Sequence, residues 1–277
     1  MAHHHMNHVK RPELWTMLLL INEQNIHVVR FSTAQSQSLI LDVIELSGDG
    51  DFKTRLETAI YDNEPLLDDY AHTRVIIRAT HFLLLPPNAC DDATAEQLIT
   101  GSLAEPVGDP VLADAYLDNE PRVAMMLPSG VFGFLKRTFN NYLIHSHISP
   151  LINAANAAAG SVNSGLWLFL DQNRMDAAVM RGGSLMCANS FAFSYIDDAA
   201  YFALKLFETA HLSQQHDDIQ LFGSHPLMPQ LLEKLRRYVA YVMPQLPAAQ
   251  ALKLGSDAPA VPFPLLHTAL CITKLRN

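Results

Sequence analysis

The order of elements predicted between Gly165 and Val239 limits the fold of this chain more than any other feature. Three short apolar runs joined by tight turns come first, followed by an amphipathic segment, a fourth apolar run and a second amphipathic segment. Short apolar runs bounded by turn residues predict strands, and apolar positions at 3.6-residue spacing predict helices. The predicted order is therefore three strands, helix, strand, helix, which is an α/β half-domain.

The first part of the chain carries the same order. Its predicted elements are strands at Leu14–Ile21, Ile26–Phe31 and Leu39–Leu46, a helix at 52–62 and a strand at Arg74–Leu85. Aligning the polar stop Asn22 with Asp171 gives an offset of 171 − 22 = 149 residues, at which Ile26 meets Met175. A repeated element order at low identity favours a duplicated fold. We predict an α/β protein with a duplicated ribonuclease H-like (actin-like ATPase) fold, in which two lobes have mixed five-stranded sheets flanked by helices.

The segment between the repeats is expected to complete the first lobe. It contains predicted helices at Asp92–Leu103, Val131–Phe139 and Pro150–Ala159 and predicted strands at Arg122–Leu127 and Asn141–Ile148. The short flexible joint Gly160–Gly165 sets the boundary, so the lobes are predicted at 13–160 and 161–277. Residues 1–12, which include a three-histidine run, are interpreted as a disordered leader or a tag remnant.

Composition excludes several function classes. The formal net charge of −9 argues against non-specific nucleic-acid binding, which needs a basic surface. The three cysteines are widely spaced and form no C-x-x-C pair, which is typical of a reducing compartment. The apolar run from Trp15 to Ile21 is far shorter than the roughly 20 residues that span a bilayer. The sequence predicts a cytoplasmic protein without membrane insertion.

Two lobes of this kind resemble the actin-like ATPase superfamily, in which a hairpin acid and glycine of each half face the nucleotide phosphates. Glycine allows backbone N–H groups to approach a phosphate, and the acid holds a hydrated Mg²⁺. The first hairpin here has Asn22 at the acid position and no glycine, and the second keeps Asp171 but also lacks the glycine. The turn that corresponds to the adenosine loop keeps one glycine, Gly223. The candidate ligand-binding residues of the inter-lobe cleft are Asn22, Gln24, Asp171, Asn173, Gly223 and Ser224.

A narrower resemblance covers nearly the whole chain after its first residues. The motifs are Phe132–Leu135, Tyr142–Pro150, Leu168–Asp171, Leu185–Phe191, Leu221–Gly223, Pro262–Leu265 and Leu270–Cys271. They resemble a family of uncharacterised bacterial proteins with an actin-like ATPase fold. That fold is similar to the L-type cytoplasmic component of type II secretion systems and to the M-type pilus-assembly protein. The resemblance implies the fold and a scaffolding role, and it supplies no catalytic residues.

Other polar patterns favour structural roles. His145 and His147 share a face of a predicted strand, but no third metal ligand lies near them in sequence. Asp49 and Asp51 lack the remaining ligands of a calcium loop, so a turn and a helix cap are the better interpretation. No catalytic or metal-binding residue is predicted.

Three functional hypotheses remain open from the sequence. The first is a non-catalytic scaffold that binds an unknown protein partner and needs no cofactor, because the phosphate-binding motifs are degenerate. The second is an atypical ATPase or kinase that binds Mg-ATP through Asp171 and the Gly223–Ser224 turn. The third is a small-molecule sensor whose cleft closes without chemistry. Whether the chain is an enzyme is left undecided, with the scaffold preferred.

Overall fold

The computed structural model describes residues 6–85, 91–116, 121–158, 164–245 and 249–275 of the chain. The predicted joint at 160–165 lies outside these ranges except for Ser164 and Gly165. The described residues form two compact units. Unit 1 contains the residues up to His147 together with Ala249–Val261 and those from Thr268 onward; unit 2 contains the residues from Ile148 to Gln245 and Pro262–His267. This grouping differs from the predicted ranges 13–160 and 161–277 in the placement of 148–158 and of the C-terminal segment.

The described residues up to His147, the first segment of unit 1, contain eleven α-helices and strands. They are β1 (Thr16–Ile21), β2 (Asn25–Phe31), β3 (Ile40–Glu45), α1 (Phe52–Tyr61), β4 (His72–Ile77), β5 (His81–Leu85), α2 (Asp92–Gly101), β6 (Asp109–Leu112), β7 (Arg122–Leu127), α3 (Val131–Thr138) and β8 (Tyr142–Ser146). Those that follow are α4 (Ser149–Ala158), β9 (Gly165–Asp171), β10 (Arg174–Arg181), β11 (Ser184–Ala192), α5 (Ile196–Thr209), β12 (Asp218–Phe222), α6 (Met228–Leu235), β13 (Tyr241–Pro244) and α7 (Phe263–Leu275).

Each unit contains one mixed five-stranded sheet, and the two sheets have the same topology. The strand orders are β3-β2-β1-β4-β8 and β11-β10-β9-β12-β13. In both, the first three strands form an antiparallel meander and the later two run parallel to the central strand. This topology, with helices flanking the sheets, confirms the predicted duplicated fold.

The register of the hairpins repeats with the offset found in the sequence. Ile21 lies opposite Ile26 in the first hairpin, and Leu170 lies opposite Met175 in the second. The offset is therefore 170 − 21 = 149 on one strand and 175 − 26 = 149 on the other. Since a slip of one residue would move every side chain to the other face of the sheet, the shared register preserves the same buried face in both halves.

The predicted single strand Arg74–Leu85 is wrong, because the chain forms two strands there that belong to different sheets. β4 continues beside β1 as far as Arg78, whose N–H donates to the Ile21 carbonyl at 3.0 Å. The next N–H, that of Ala79, donates to His147 Nδ1 at 3.4 Å, which ends the ladder. β5 then pairs with β7 in a separate three-stranded sheet of order β5-β7-β6.

The three-stranded sheet is an insertion in unit 1 between β4 and β8. Helix α2 covers it through a small apolar cluster of Leu85, Ala95, Ile99, Ala124 and Met126. The sequence interpretation placed Arg122–Leu127 among the last strands of the first lobe, and β7 does lie in unit 1, but in this inserted sheet and not in the five-stranded one.

The core of unit 2 lies between its sheet and the helices α5 and α6. The alanine-rich stripe of α5 buries Ala199, Ala200 and Ala203, and small side chains there allow the helix to approach β9 and β10. Its N-terminus is capped by Asp198, whose Oδ2 accepts from Ser194 N at 3.0 Å and Tyr195 N at 2.9 Å. Asp197, one residue earlier, pairs with Lys234 at 2.6 Å.

Gly165 at the start of β9 is a position where a side chain cannot be accommodated. A Cβ atom there would lie 2.5 Å from Asp218 Oδ1 and 2.8 Å from the Asp218 carbonyl oxygen. We expect Gly165→Ala to lower the free energy of unfolding by about 2 kcal/mol, since the neighbouring backbone must shift. The matched control is Gly101→Ala, where no atom lies within 4 Å of the new Cβ. It should be neutral or stabilising in the same thermal melting experiment, and equal losses in both variants would contradict this account.

Candidate functional site

The turn of the first hairpin is closed by its own asparagine. Asn22 is 3 % exposed, and its Oδ1 accepts from the backbone N–H groups of Gln24 and Asn25, both at 2.9 Å. Its Nδ2 donates to Asn25 Oδ1 at 3.0 Å. An Asx turn of this kind occupies the N–H groups that a phosphate-binding hairpin would direct at a ligand.

Packing from the following segment fixes the same turn. Leu46 N donates to the Gln24 carbonyl at 2.7 Å, and Arg55 Nη1 reaches the carbonyls of Leu46 and Glu23 at 3.0 and 3.3 Å. The hairpin end is therefore held by α1 and the end of β3. Only the side chains of Glu23 and Gln24 are exposed at the turn.

Removing the Asn22 amide should weaken unit 1. We expect Asn22→Ala to lower the free energy of unfolding by about 1–2 kcal/mol, because two N–H groups lose their acceptor. The chain has two tryptophans, Trp15 in unit 1 and Trp167 in unit 2, so Trp15 fluorescence in a Trp167→Phe background follows unit 1. Gln24→Ala, at an exposed side chain of the same turn, is the control and should change the free energy of unfolding by less than about 0.5 kcal/mol.

The turn of the second hairpin, in unit 2, reaches a left-handed backbone conformation without glycine. Gln172 has φ 51°, where a side chain is unfavourable. Its carbonyl accepts from His225 Nε2 at 2.7 Å, while His225 Nδ1 accepts from Leu227 N at 3.1 Å. These two bonds define a neutral imidazole with its proton on Nε2. His225, which the sequence did not single out, therefore joins the hairpin to the turn after β12.

Gly223 lies at this same end of the sheet. β9 and β12 are parallel, with Phe222 opposite Phe169, so the turn after β12 emerges beside the end of β9. Gly223 has φ 98°, and a Cβ there would lie 3.0 Å from the Phe169 ring. The rings of Phe169 and Phe222 also contact Phe263, with centroid distances of 5.5 and 4.4 Å. Phenyl rings therefore pack behind Gly223.

The six predicted site residues fall into two groups. Asn22 and Gln24 belong to unit 1, where Asn22 is buried within its own turn and Gln24 is exposed. The other four belong to unit 2, at the carboxyl ends of β9 and β12: Asp171 is partly buried, and Asn173, Gly223 and Ser224 are exposed. Within unit 2 the structure brings the hairpin and the glycine turn together through the His225 contact. Their role in ligand binding stays a prediction.

A second polar cluster in unit 1 surrounds His145 on β8, and His147 lies just after that strand. His145 is fully buried; its Nε2 accepts from Arg74 Nη1 at 3.0 Å and its Nδ1 lies 3.2 Å from the Asp114 carbonyl oxygen. Burial and the Arg74 charge lower the pKa of His145 from 6.5 to about 4. Both ring nitrogens are therefore engaged. In the part of the chain that the structure describes, no three His, Cys, Asp or Glu side chains are placed to hold a metal ion.

The sequence profile of one protein family covers most of the chain. The family is described as "Protein of unknown function (DUF3822)", and its profile matches residues 5–242 of the 277. The chain belongs to this family. No curated protein matches the sequence.

Solved structures extend the likeness of this DUF3822 member to the actin-like ATPase fold. A protein from Bacteroides thetaiotaomicron VPI-5482, described as having an actin-like ATPase fold and unknown function, has a TM-score of 0.75 at 17% identity, with 92% of this chain and 96% of that one covered. The PilM-PilN type IV pilus biogenesis complex gives a TM-score of 0.53 at 12% identity, covering 93% and 98%. The cytoplasmic domain of EpsL from the Vibrio cholerae type II secretion system gives 0.48 at 11%, covering 94% and 95%.

The family profile confirms the predicted family resemblance, and the two structures with TM-scores of 0.75 and 0.53 confirm the fold. At identities this low they show the fold alone, since one fold hosts many functions. Among the described residues, no helix is long and apolar enough to cross a membrane.

Proposed function

We propose that this DUF3822 member is a non-catalytic protein of the actin-like fold that acts by binding a protein partner. The observation that carries the proposal is the closed first hairpin. The N–H groups of Gln24 and Asn25 already donate to Asn22 Oδ1, so these two amides are not free to bind a phosphate, and an asparagine stands at the position where the superfamily has an acid.

Two further features support this proposal. The glycine turn of unit 2 is backed by three phenyl rings and contains no lysine or arginine between Gly223 and Leu227. One structure of similar fold, PilM, is solved in a complex with a protein, PilN. The cytoplasm is the proposed place of action, on the basis of three dispersed cysteines without a C-x-x-C pair.

The competing function is an atypical nucleotide-binding ATPase or kinase. One specific feature favours it: Asp171 ends β9 beside the exposed Gly223–Ser224 turn. A hydrogen bond from His225 to the Gln172 carbonyl holds the β9–β10 hairpin against that turn. A carboxylate at that position is the kind of group that holds a hydrated Mg²⁺.

Calorimetric titration with Mg-ATP, Mg-ADP and Mg-GTP distinguishes the two functions. The non-catalytic proposal expects no binding heat with any of them. Micromolar affinity that disappears in Asp171→Ala and persists in Asn173→Ala, an exposed neighbour in the same turn, would overturn it in favour of the ATPase or kinase. A partner that copurifies in stoichiometric amount from the native cells should be retained equally by the wild type and by Asp171→Ala.

A further inference from the structure

One carboxylate of unit 2 is buried with too few hydrogen-bond donors. Asp218, the first residue of β12, is 6% exposed, and its Oδ1 has no hydrogen-bond partner among the described residues. Gly165 of β9 lies directly against this oxygen, since a Cβ atom added there would lie 2.5 Å from it. A carboxylate that leaves water without a full set of donors is costly in its charged form. The burial of Asp218 therefore favours its protonated form.

The other carboxylate oxygen is bound by a neutral amide, which is bound by a second amide in turn. Gln220 Nε2 donates to Asp218 Oδ2 at 2.5 Å, and Gln245 Nε2 donates to Gln220 Oε1. Gln220 is 8% exposed and Gln245 is partly exposed, so three side chains lead from the buried acid to the surface. Both bonds direct their donor toward the acid, as an ionised carboxylate requires, because it can only accept.

The backbone holds these three side chains next to one another. Asp218 and Gln220 lie two residues apart on β12, so they share one face of the sheet. Gln245 follows β13, and its N–H donates to the Leu221 carbonyl at 2.7 Å, which continues the ladder between β12 and β13. The hydrogen bonds among the side chains can therefore change while the strands stay in register.

The groups around Asp218 offer no cation to offset its burial. Of the two neighbouring strands, β9 places Gly165 opposite Asp218 and β13 places Tyr241 there. Among the described residues, the charged group that acts on Asp218 is another acid, Asp217. Burial raises the pKa of Asp218 from its usual 3.8, the hydrogen bonds from Gln220 and from its own backbone oppose this, and the Asp217 charge adds to the increase.

We propose that Asp218, Gln220 and Gln245 form a proton-operated switch in unit 2, in which protonation of Asp218 reverses both glutamine amides. The protonated Oδ2 then donates to Gln220 Oε1, and Gln220 Nε2 donates to Gln245 Oε1. Each amide exchanges the places of its oxygen and nitrogen by half a rotation about its last side-chain bond. The proton comes from the solvent. This inference is independent of the proposed partner-binding function.

The switch changes the group that the end of β13 presents to solvent. When Asp218 is ionised, Gln245 uses Nε2 within the chain of hydrogen bonds and keeps Oε1 outside it. When Asp218 is protonated, Gln245 uses Oε1 and keeps Nε2 outside. A hydrogen-bond acceptor beside the exposed side chains of Tyr241 and Met243 therefore becomes a donor as the pH falls.

The proton also stabilises unit 2. Because the pKa of Asp218 is higher in the folded chain than its usual 3.8, the folded chain binds the proton before the unfolded chain does as the pH falls. This stabilisation is fully present below pH 3.8 and is lost as the pH rises through the folded pKa. In denaturant unfolding, the ratio of the unfolding constant of the wild type to that of Asp218→Asn should therefore fall on acidification.

Nuclear magnetic resonance titration of the full chain tests the switch. We expect the carboxyl ¹³C signal of Asp218 to titrate with a midpoint above pH 3.8, and the side-chain amide signals of Gln220 and Gln245 to shift with the same midpoint. Asp218→Asn, whose amide can donate to Gln220 at every pH, should hold both glutamine signals at their low-pH positions. Gln220→Leu should raise the Asp218 midpoint further and abolish the shift of the Gln245 signal.

The matched control is Asp197→Asn, at an aspartate of unit 2 whose side chain is 75% exposed. Both glutamine signals should titrate in this variant as they do in the wild type. An Asp218 midpoint at or below pH 3.8 would overturn the proposal, because the site would then stabilise the charged form. Glutamine signals that stay fixed while Asp218 titrates would also overturn it. Both outcomes are measured on the wild type, so they decide the matter even if a variant fails to fold.

Discussion

Replacing Asp42 with alanine is expected to lower the free energy of unfolding, measured at Trp15, by about 3–5 kcal/mol. Asp42 is the counter-charge of Arg30, which is 1% exposed near the end of β2. The Arg30 Nη2 donates to Asp42 Oδ2 at 2.7 Å, and its Nη1 donates to the Asn7 carbonyl oxygen at 2.6 Å. Without the carboxylate, the guanidinium remains buried among neutral groups, the Asn7 carbonyl oxygen and the Tyr70 hydroxyl.

The expected loss is the cost of an unpaired buried charge and not the net contribution of the ion pair. Arg30 Nε has no hydrogen-bond partner among the described residues, so the site solvates the cation incompletely even in the wild type. An apolar pair of similar volume is often as stable as a buried ion pair. We therefore expect the double variant Arg30→Met/Asp42→Leu to recover most of what Asp42→Ala loses.

Denaturant unfolding in the Trp167→Phe background measures both changes. Glu13→Gln is the control, because it breaks the exposed pair between Arg11 and Glu13 and should produce no measurable change. If Asp42→Ala costs less than about 1 kcal/mol, Arg30 finds a solvated alternative position, and its role as a buried anchor of β2 would be wrong.

The sequence predicted the parts of the fold in which local pattern and tertiary position agree. The meanders that begin at Thr16 and Gly165 are continuous apolar runs separated by polar turns, so both the strands and the 149-residue offset were readable. Helix α5 was readable from its alanine-rich stripe. In each case the buried face follows directly from side-chain spacing.

The missed strands share a physical cause. β6 contains Pro110 and β13 ends in Pro244, and proline in the sequence indicated a break. Both strands lie at a sheet edge, where the missing N–H faces away from the ladder and proline is tolerated. Edge position is a tertiary property, so no local pattern reveals it. The division of Arg74–Leu85 into two strands could not be predicted for the same reason, because it depends on a hydrogen bond to the distant imidazole of His147.

The sequence predicted only part of the arrangement at the candidate site. Residue type identified the degenerate turns at Asn22 and Asp171, but not the bonds that close them. That Asn22 occupies two N–H groups depends on the conformation of the turn, and that His225 holds Gln172 depends on a contact between residues 53 apart. The sequence predicts that ligand-binding groups are missing from these turns, and the structure adds the hydrogen bonds that the turns make.

Acidification is expected to lower the free energy of unfolding through His145, by about 3 kcal/mol between pH 7 and pH 4. The pKa of the buried imidazole is about 4 in the folded chain, against 6.5 for an exposed histidine. Well above pH 6.5 neither state binds the proton, so His145 adds nothing to the pH dependence of stability there. As the pH falls below 6.5 the unfolded chain binds a proton that the folded chain binds only near pH 4, and stability is lost across that interval at about 1.4 kcal/mol per pH unit.

The groups around His145 explain why the folded state resists the proton. Arg74 Nη1 donates to Nε2, so a proton there would replace an accepted hydrogen bond with a contact between two cations. The other nitrogen, Nδ1, faces the Asp114 carbonyl oxygen, and the Tyr116 ring packs edge-on at 5.2 Å. The Asp114 carboxylate accepts a hydrogen bond from Ile144 N at 2.6 Å.

Comparing His145→Gln with the wild type isolates this contribution. A glutamine cannot titrate, so the variant should be less stable at pH 7 but should lose about 3 kcal/mol less than the wild type on acidification to pH 4. His216→Gln, at an exposed histidine in unit 2, should leave the pH dependence of the free energy of unfolding, measured by Trp15 fluorescence, as it is in the wild type. Parallel stability curves for His145→Gln and the wild type would mean that the imidazole is protonated in the folded chain. In that case the Arg74–His145 hydrogen bond could not exist as described, because both of its partners would be donors.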